Sequence, residues 1–267
     1  MLIRGFGLLL AILINPATAA GVDEDLHQPV PRSRTEIPAA EELLEAVRSA
    51  MPRQDMQIQA RIKAHEHNGR PSRTIYAEVL LHTGAGLYSA IYTIADAFGT
   101  PLEQLMISRE PDRAPHYRYR KGDPLEDTTL PDLYGHICQT DLTWIDLSLS
   151  FLWWPDGETI ATEKVRGRSC YVMELPAPDD GSSELAAVRL WVDSEIPMLL
   201  KAEAFNPMGE RVRKLTVESF KKVNGVWFIK DINVYSYPAG AKTTMRVNDL
   251  KVLDDVEFEG ITSSTIE

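Results

Sequence analysis

The sequence predicts a mainly β protein with a few helices, its strands gathered into one large curved antiparallel sheet or barrel. Three observations predict it. Alternating apolar and polar residues recur in runs of up to about ten, longer than the usual ~5–6 of a globular strand, which favours a curved sheet or barrel over a small sandwich. Turn signals stand between such runs at Asp193-Ser194-Glu195-Ile196-Pro197, Asn206-Pro207-Met208-Gly209, Asn224-Gly225 and Pro238-Ala239-Gly240. The connections are far shorter than a parallel crossover requires, so neighbouring strands pair antiparallel.

The first element is not part of the fold. Arg4, the apolar run from Gly5 to Ile14 and the small residues around Ala17 and Ala19 form the three parts of a secretory signal peptide, with cleavage after Ala19 or Ala20. The run is about half of the ~20 apolar residues that cross a bilayer, so it reads as a leader and not an anchor. No cysteine follows the cleavage region and no later segment is long and apolar enough to span. The expectation is therefore a leader over 1–20 and a periplasmic chain without a transmembrane span. Losing the leader removes Arg4 and leaves 27 basic against 39 acidic side chains, a formal charge of −12. Such a chain is a poor ligand for nucleic acid and for anionic lipid surfaces, so any lipid contact depends on an apolar cavity.

Residues 21–38 are rich in proline and charge, lack an apolar period, and read as a flexible arm before a single domain over 39–267. Ala40, Leu43, Leu44, Val47 and Met51 then recur at helical spacing, with Glu41 and Glu42 in the first turn and Pro52 as the stop. Met56, Ile58, Ala60, Ile62 and Ala64 alternate with polar residues as a half-buried strand, and the turn at 67–71 returns the chain through Arg73 to Leu81. Further strands are expected at Leu87 to Ala95, Leu102 to Ser108 and His116 to Arg120.

The middle, Leu130 to Pro155, holds three of the five tryptophans. Leu142, Ile145, Leu149 and Leu152 fit a helix capped by Thr140 or Asp141; Ile145, Leu147, Leu149, Phe151 and Trp153 fit a strand equally well. The reading taken is a short helix that becomes a strand near Ser150, with Trp144 and Trp153 closing over an apolar interior.

In the last third, parity places Ala186, Val188, Leu190 and Val192 on one face, then Met198, Leu200, Ala202 and Ala204, then Phe228, Ile232 and Val234, with Lys230 interrupting the row. Three alanines on an apolar face leave volume for a ligand, or for the N-terminal helix packed over them; both uses stay open at this level. Cys138 and Cys170 are either one bridge or two free thiols.

Chemistry is thin. There is no Gly-x-Ser-x-Gly elbow, no phosphate-cradling glycine loop and no His-Glu-x-x-His, so no catalytic residue, metal or cofactor is assigned and the chain is not read as an enzyme. His65 and His67, with His82 or His116, come nearest to a metal set and are better explained as exposed strand-end residues. Asp141 and Asp146 are explained by capping and solvent contact. His136 and Cys138 lie too close in sequence to make a nucleophile and base on their own.

From Asp141 to Val247 the order of motifs resembles the outer-membrane lipoprotein-sorting (LolA-like) proteins. The residues are Asp141-Leu142-Thr143-Trp144-Ile145-Asp146-Leu147, Gly167 to Glu174, Leu190-Trp191-Val192-Asp193, Pro197 to Phe205, Asn206-Pro207-Met208-Gly209-Glu210, Val223 to Ile229, and Thr243 to Val247. The resemblance implies a half-open antiparallel β-barrel with a helical lid whose interior takes lipid or the acyl chains of a lipoprotein. The expected function is a periplasmic carrier toward the outer membrane. The alternative is an envelope sensor or adaptor that uses the same barrel to bind a protein partner.

Overall fold

The computed structural model describes residues 11–13, 37–51, 54–66, 69–84, 87–110, 113–178, 185–223 and 226–253. Apart from residues 11–13 and 37–38, the leader and the arm lie outside them. The elements in chain order are β1 (Ala11–Leu13), α1 (Ala40–Ser49), β2 (Met56–His65), β3 (Pro71–Gly84), β4 (Leu87–Ala95), β5 (Pro101–Arg109), β6 (His116–Lys121) and β7 (Glu126–Thr128). After a single-turn 3-10 segment at Ile137–Gln139 come α2 (Trp144–Ser148) and a second 3-10 turn at Ser150–Trp153. The remaining strands are β8 (Glu158–Val165), β9 (Arg168–Pro176), β10 (Ala187–Asp193), β11 (Leu199–Phe205), β12 (Arg211–Val223), β13 (Val226–Ser236) and β14 (Lys242–Val252).

The sheet runs β7-β6-β5-β4-β3-β2-β14-β13-β12-β11-β10-β9-β8, every neighbouring pair antiparallel. Each half is a meander of consecutive hairpins, and the first strand of one half (β2) pairs with the last of the other (β14). The terminal strands β7 and β8 do not pair with each other, so the sheet curls into a half-open barrel with a helical cover. The fold expected from sequence is the fold observed.

Local chemistry explains the elements. Along β2 the burial alternates, with Met56, Ile58, Ala60, Ile62 and Ala64 all buried. Helix α1 carries Glu41 and Glu42 in its first turn and buries Ala40, Leu44 and Val47 against β8 and the second 3-10 turn. One member of its buried face is charged. Arg48 donates to the Leu152 carbonyl at 3.0 Å and pairs with Glu41 and Glu45 on its own helix.

Two register shifts correct the parity reading. Across β10 and β11, Trp191 faces Lys201 and Val192 faces Leu199, so Leu200 is passed over. Across β12 and β13, Ser219 faces Asp231 and Phe220 faces Ile229, so Lys230 is passed over. A bulge puts two residues opposite one and turns the extra side chain out of its row. Strands β7 and β8 were not anticipated, and the strand expected after Ser150 is a 3-10 turn.

Strand β1 lies inside the segment read as the apolar core of the leader. It pairs with Val226–Phe228 of β13, where β14 does not: β14 joins β13 only from Asp231 onward.

Candidate functional site

The concave face of the sheet is covered by α1 and by residues 137–154, here termed the plug. Beneath them one continuous apolar core includes Val188, Leu190, Val192, Ala202, Ala204, Phe228, Ile232 and Val234 from the sheet and Trp144, Ile145, Leu147, Leu149, Phe151 and Leu152 from the plug. Eight strand residues and Trp144 from the sequence-derived site are thus brought together. Trp153 sits at the margin, half-buried, stacked on Tyr88 with ring centroids 6.5 Å apart and with the Arg109 guanidinium 4.6 Å above its ring.

Two residues of that set go elsewhere. Leu200 belongs to a separate cluster on the convex side with Cys170, Val172 and Trp191, as the bulge requires. Ala186 is exposed. Met198 also turns away, toward Ala50 at the end of α1. Leu199 takes the interior place that parity gave to Leu200.

The space over the alanines is occupied. Ile145, Phe151, Leu185, Val188, Ala202, Ala204, Leu215, Asp146 and Arg213 enclose only about 10 Å³, room for one water at most by the ~10–15 Å³ that a water needs. The helix that fills this volume is α2, not the N-terminal helix considered from sequence. Its cap is Thr143, not Thr140 or Asp141. The Thr143 hydroxyl accepts from the Asp146 N–H, and the Asp146 carboxylate accepts from the Thr143 N–H, a reciprocal capping box.

Few polar bonds tie the plug to the sheet. The Thr243 hydroxyl donates to Asp141 at 2.9 Å and accepts from its backbone N–H at 2.8 Å. Arg213 Nη1 donates to the Thr143 hydroxyl at 3.4 Å, and its Nε stands 3.5 Å from the Asp146 carboxylate, an ion pair by distance without hydrogen-bond geometry. Arg109 reaches Ser150 at 3.4 Å and Arg73 reaches Gln139 at 3.0 Å. Asp141 and Asp146 are both buried, so solvent contact, expected from sequence, is replaced by these internal partners. The plug's joints are Cys138, Gln139 and Leu149, three non-glycine residues at positive φ.

The interior also carries phenols. Tyr88 and Tyr92 are buried on β4, and burial pushes both hydroxyls well above their ordinary range. Both cysteines are free: Cys138 lies at the root of the plug and Cys170 in the convex cluster, which corrects the bridge considered from sequence. Among the described residues no three His, Cys, Asp or Glu side chains gather as a metal set; His82 pairs with Asp55 at 2.7 Å, and His67 lies outside the described residues. No helix among the described residues is long and apolar enough to cross a membrane.

A family model described as that of an uncharacterized protein matches residues 130–262, which span the plug and strands β8 to β14. No curated protein matches the chain. Among solved structures, a DUF1329 family protein from Desulfovibrio piger aligns with a TM-score of 0.69 at 16% identity, covering 82% of this chain and 93% of its own. A domain from Vibrio parahaemolyticus described as an outer membrane lipoprotein-sorting protein aligns at 0.68 and 16%, covering 82% and 95%. A LolA superfamily protein from Nitrosomonas europaea aligns at 0.62 and 18%, covering 82% and 96%. In fold, this chain is LolA-like, a half-open antiparallel barrel with a helical cover over its concave face.

Proposed function

We propose that the chain is an exported carrier of the cell envelope. It binds lipid, or the acyl chains of a lipoprotein, on the concave face of its sheet and moves that cargo toward the outer membrane. The observation that carries this reading is the contrast between an apolar concave face and its short, interrupted cover. A five-residue helix and two single 3-10 turns, tied down by a handful of side-chain bonds, can leave as a unit while the strand ladder stays intact. The acyl chain then replaces Ile145 and Phe151 against Ala202 and Ala204. The description of the Vibrio neighbour as a lipoprotein-sorting domain supports the class of cargo. The leader over 1–20, the arm over 21–38, a single domain over 39–267 and a periplasmic location complete the proposal.

One observation favours a second reading. The interior is full with the plug seated, as it would be in an envelope adaptor that keeps its barrel closed and binds a protein partner outside. Mature protein titrated with a fluorescent acyl probe, with amide exchange followed across 140–154, separates the two. A carrier takes up probe saturably and its plug exchanges faster when loaded; no uptake up to the solubility of the probe would leave only the adaptor.

A further inference from the structure

A second opening lies at the root of the plug, away from the apolar interior. It encloses about 530 Å³ and is lined by Arg73, Thr100, Pro101, Leu102, Glu103, Lys121, Gly122, Asp123, His136, Cys138 and Gln139. This is the size of a small-molecule site, ~300–1,000 Å³. Four stretches of chain supply it: the start of β3, the β4–β5 turn with β5, the end of β6 with the turn after it, and the 3-10 turn that begins the plug.

The charges in this cleft are arranged unevenly. Both oxygens of Glu103 are already engaged, Oε1 accepting from the Cys138 thiol at 3.2 Å and Oε2 from the Tyr119 hydroxyl at 2.9 Å. Glu103 therefore takes its hydrogen bonds from neutral donors and makes no ion pair, although it keeps its charge and faces Lys121 across the β5–β6 ladder. Arg73 spends one of its five N–H groups on the uncharged Gln139 amide. Lys121 is exposed and makes no ion pair among the described residues. In a chain of formal charge −11, two cations in one cleft that make no direct ion pair among the described residues are a local exception. Arg73 and Lys121 stand close enough to Cys138 for each to act on its thiol. His136, exposed, adds a ring nitrogen, and Thr100 and Gln139 add neutral polar groups.

We propose that this cleft is a binding site for a phosphate-bearing group, held between Arg73 and Lys121. A tetrahedral phosphate group accepts hydrogen bonds on several sides at once, which suits donors arriving from separate strands, whereas a planar carboxylate is satisfied by one guanidinium fork. The volume exceeds that of phosphate alone and accommodates the ester that carries it. Pro101 and Leu102 give that ester an apolar wall. Glu103 and Asp123 are the two lining carboxylates that oppose an anion. The site stands whether or not the barrel carries acyl chains. The ester is either a soluble metabolite or the headgroup of a lipid.

Calorimetric titration of the mature protein with glycerol phosphate, with inorganic phosphate and with a short-chain phosphatidylglycerol below its micelle concentration tests the proposal. Glycerol phosphate is expected to bind, Lys121→Ala and Arg73→Gln each to weaken it about tenfold or more through loss of a charge-assisted hydrogen bond, and Asp123→Asn to tighten it. Thermal melting of each variant separates lost binding from lost fold, and for the exposed Lys121→Ala no change in melting is expected. Equal affinity for glycerol phosphate and the phospholipid identifies a soluble ester, and tighter binding of the phospholipid a headgroup; either supports the site. Binding of none of the three, binding indifferent to both cationic substitutions, or succinate binding as tightly as glycerol phosphate overturns it. Uptake of the acyl probe by the Lys121→Ala variant reports on the carrier separately, so the two proposals fail independently.

Discussion

Leu190 on β10 is 0% exposed and Phe151 in the plug is 1% exposed, yet the backbone around each is held by different means. Leu190 sits between two ladders, an uninterrupted one to β9 and one to β11 that it enters just before the bulge. Phe151 belongs to a 3-10 turn between the left-handed Leu149 and an extended Trp154, with Arg48 on the Leu152 carbonyl as a tether from outside the segment. Equal burial with unequal tethering teaches that solvent exclusion alone does not tell a core from a cover. The local free energy of opening does, and it follows from backbone pairing.

The largest expected effect breaks the comparison most directly. Leu190→Ala should cost about 2–5 kcal/mol in urea denaturation, as a large-to-small change in a close-packed core. The same truncation at Phe151 would cost about 3–5 kcal/mol in a true core. In a removable plug the loss is capped by the plug's own docking free energy, since beyond that point the segment opens while the sheet remains folded. A smaller loss for Phe151→Ala than for Leu190→Ala is expected. Equality, or the reverse order, would make the plug as integral as the strands.

Next come the tethers. Arg213→Ala leaves the buried Asp146 without its cation and should cost about 1–3 kcal/mol, the penalty of an unsatisfied buried polar group. Thr243→Val removes both bonds to Asp141 and should cost about 1–2 kcal/mol. Both losses should appear as faster amide exchange across 140–154 and higher acyl-probe uptake, with strands β9 to β13 unchanged. Ala202→Trp acts from the other side. Its indole takes the space of Ile145 and Phe151, so the variant should keep its β-sheet spectrum and lose acyl uptake. An early-melting variant whose folded fraction still binds the probe would sink the interior site.

Acid provides a smaller effect, confined to the sheet. Burial alone would raise the Asp193 carboxyl, but Arg168 and the backbone N–H groups of Glu195 and Ile196 outweigh it and hold it below the usual range. A carboxyl lowered on folding contributes stability that is present above its unfolded value, about 4, and is lost as pH falls through the folded value. Asp193→Asn should flatten the acid limb of the denaturation profile. An unchanged limb would show that the turn between β10 and β11 does not carry this linkage.

How much of this was legible in the sequence depends on whether a residue had a polar counterpart to mark its face. Strand β2 shows full alternation and was found with its ends nearly right. All five residues of α2 are buried, the polar Asp146 and Ser148 included, so polarity marks no outer face and both templates fitted. Strand β8 is an edge with mostly exposed residues and left no apolar row. Parity failed at Leu200 and Lys230 because a bulge inserts one residue without a sequence mark. The cleft at the plug root was invisible for a different reason. Arg73, Glu103, Lys121 and Cys138 come from four separated stretches, and no spacing rule joins them before the hairpins are folded.

The two cysteines yield the smallest expected effect on stability, none, and the sharpest local test of the plug. Both are free, so a reductant should leave the melting temperature unchanged and the denatured, unreduced protein should titrate two thiols. In the native state burial, and then the Glu103 carboxylate, push the Cys138 thiol up to about 12; burial, and then Asp193, raise that of Cys170. At pH 8 the Cys138 thiolate is then a fraction of about 10⁻⁴, against roughly a quarter for an unperturbed thiol near 8.5. Both should therefore react slowly with a maleimide while the protein is closed. They differ in what can release them. Cys138 stands at φ 46° where the plug begins, and its bond to Glu103 breaks if the plug swings out from that joint. Cys170 is buried beneath Trp191 and Leu200 on the convex side, which the opening does not reach. Saturating acyl probe should accelerate labelling of Cys138 and leave Cys170 unchanged, with Glu103→Gln raising the basal Cys138 rate by removing the charge that opposes its thiolate. Parallel acceleration of both thiols would mean that the whole sheet loosens on loading; no acceleration of Cys138, with probe demonstrably bound, would place the hinge away from Cys138 and Gln139.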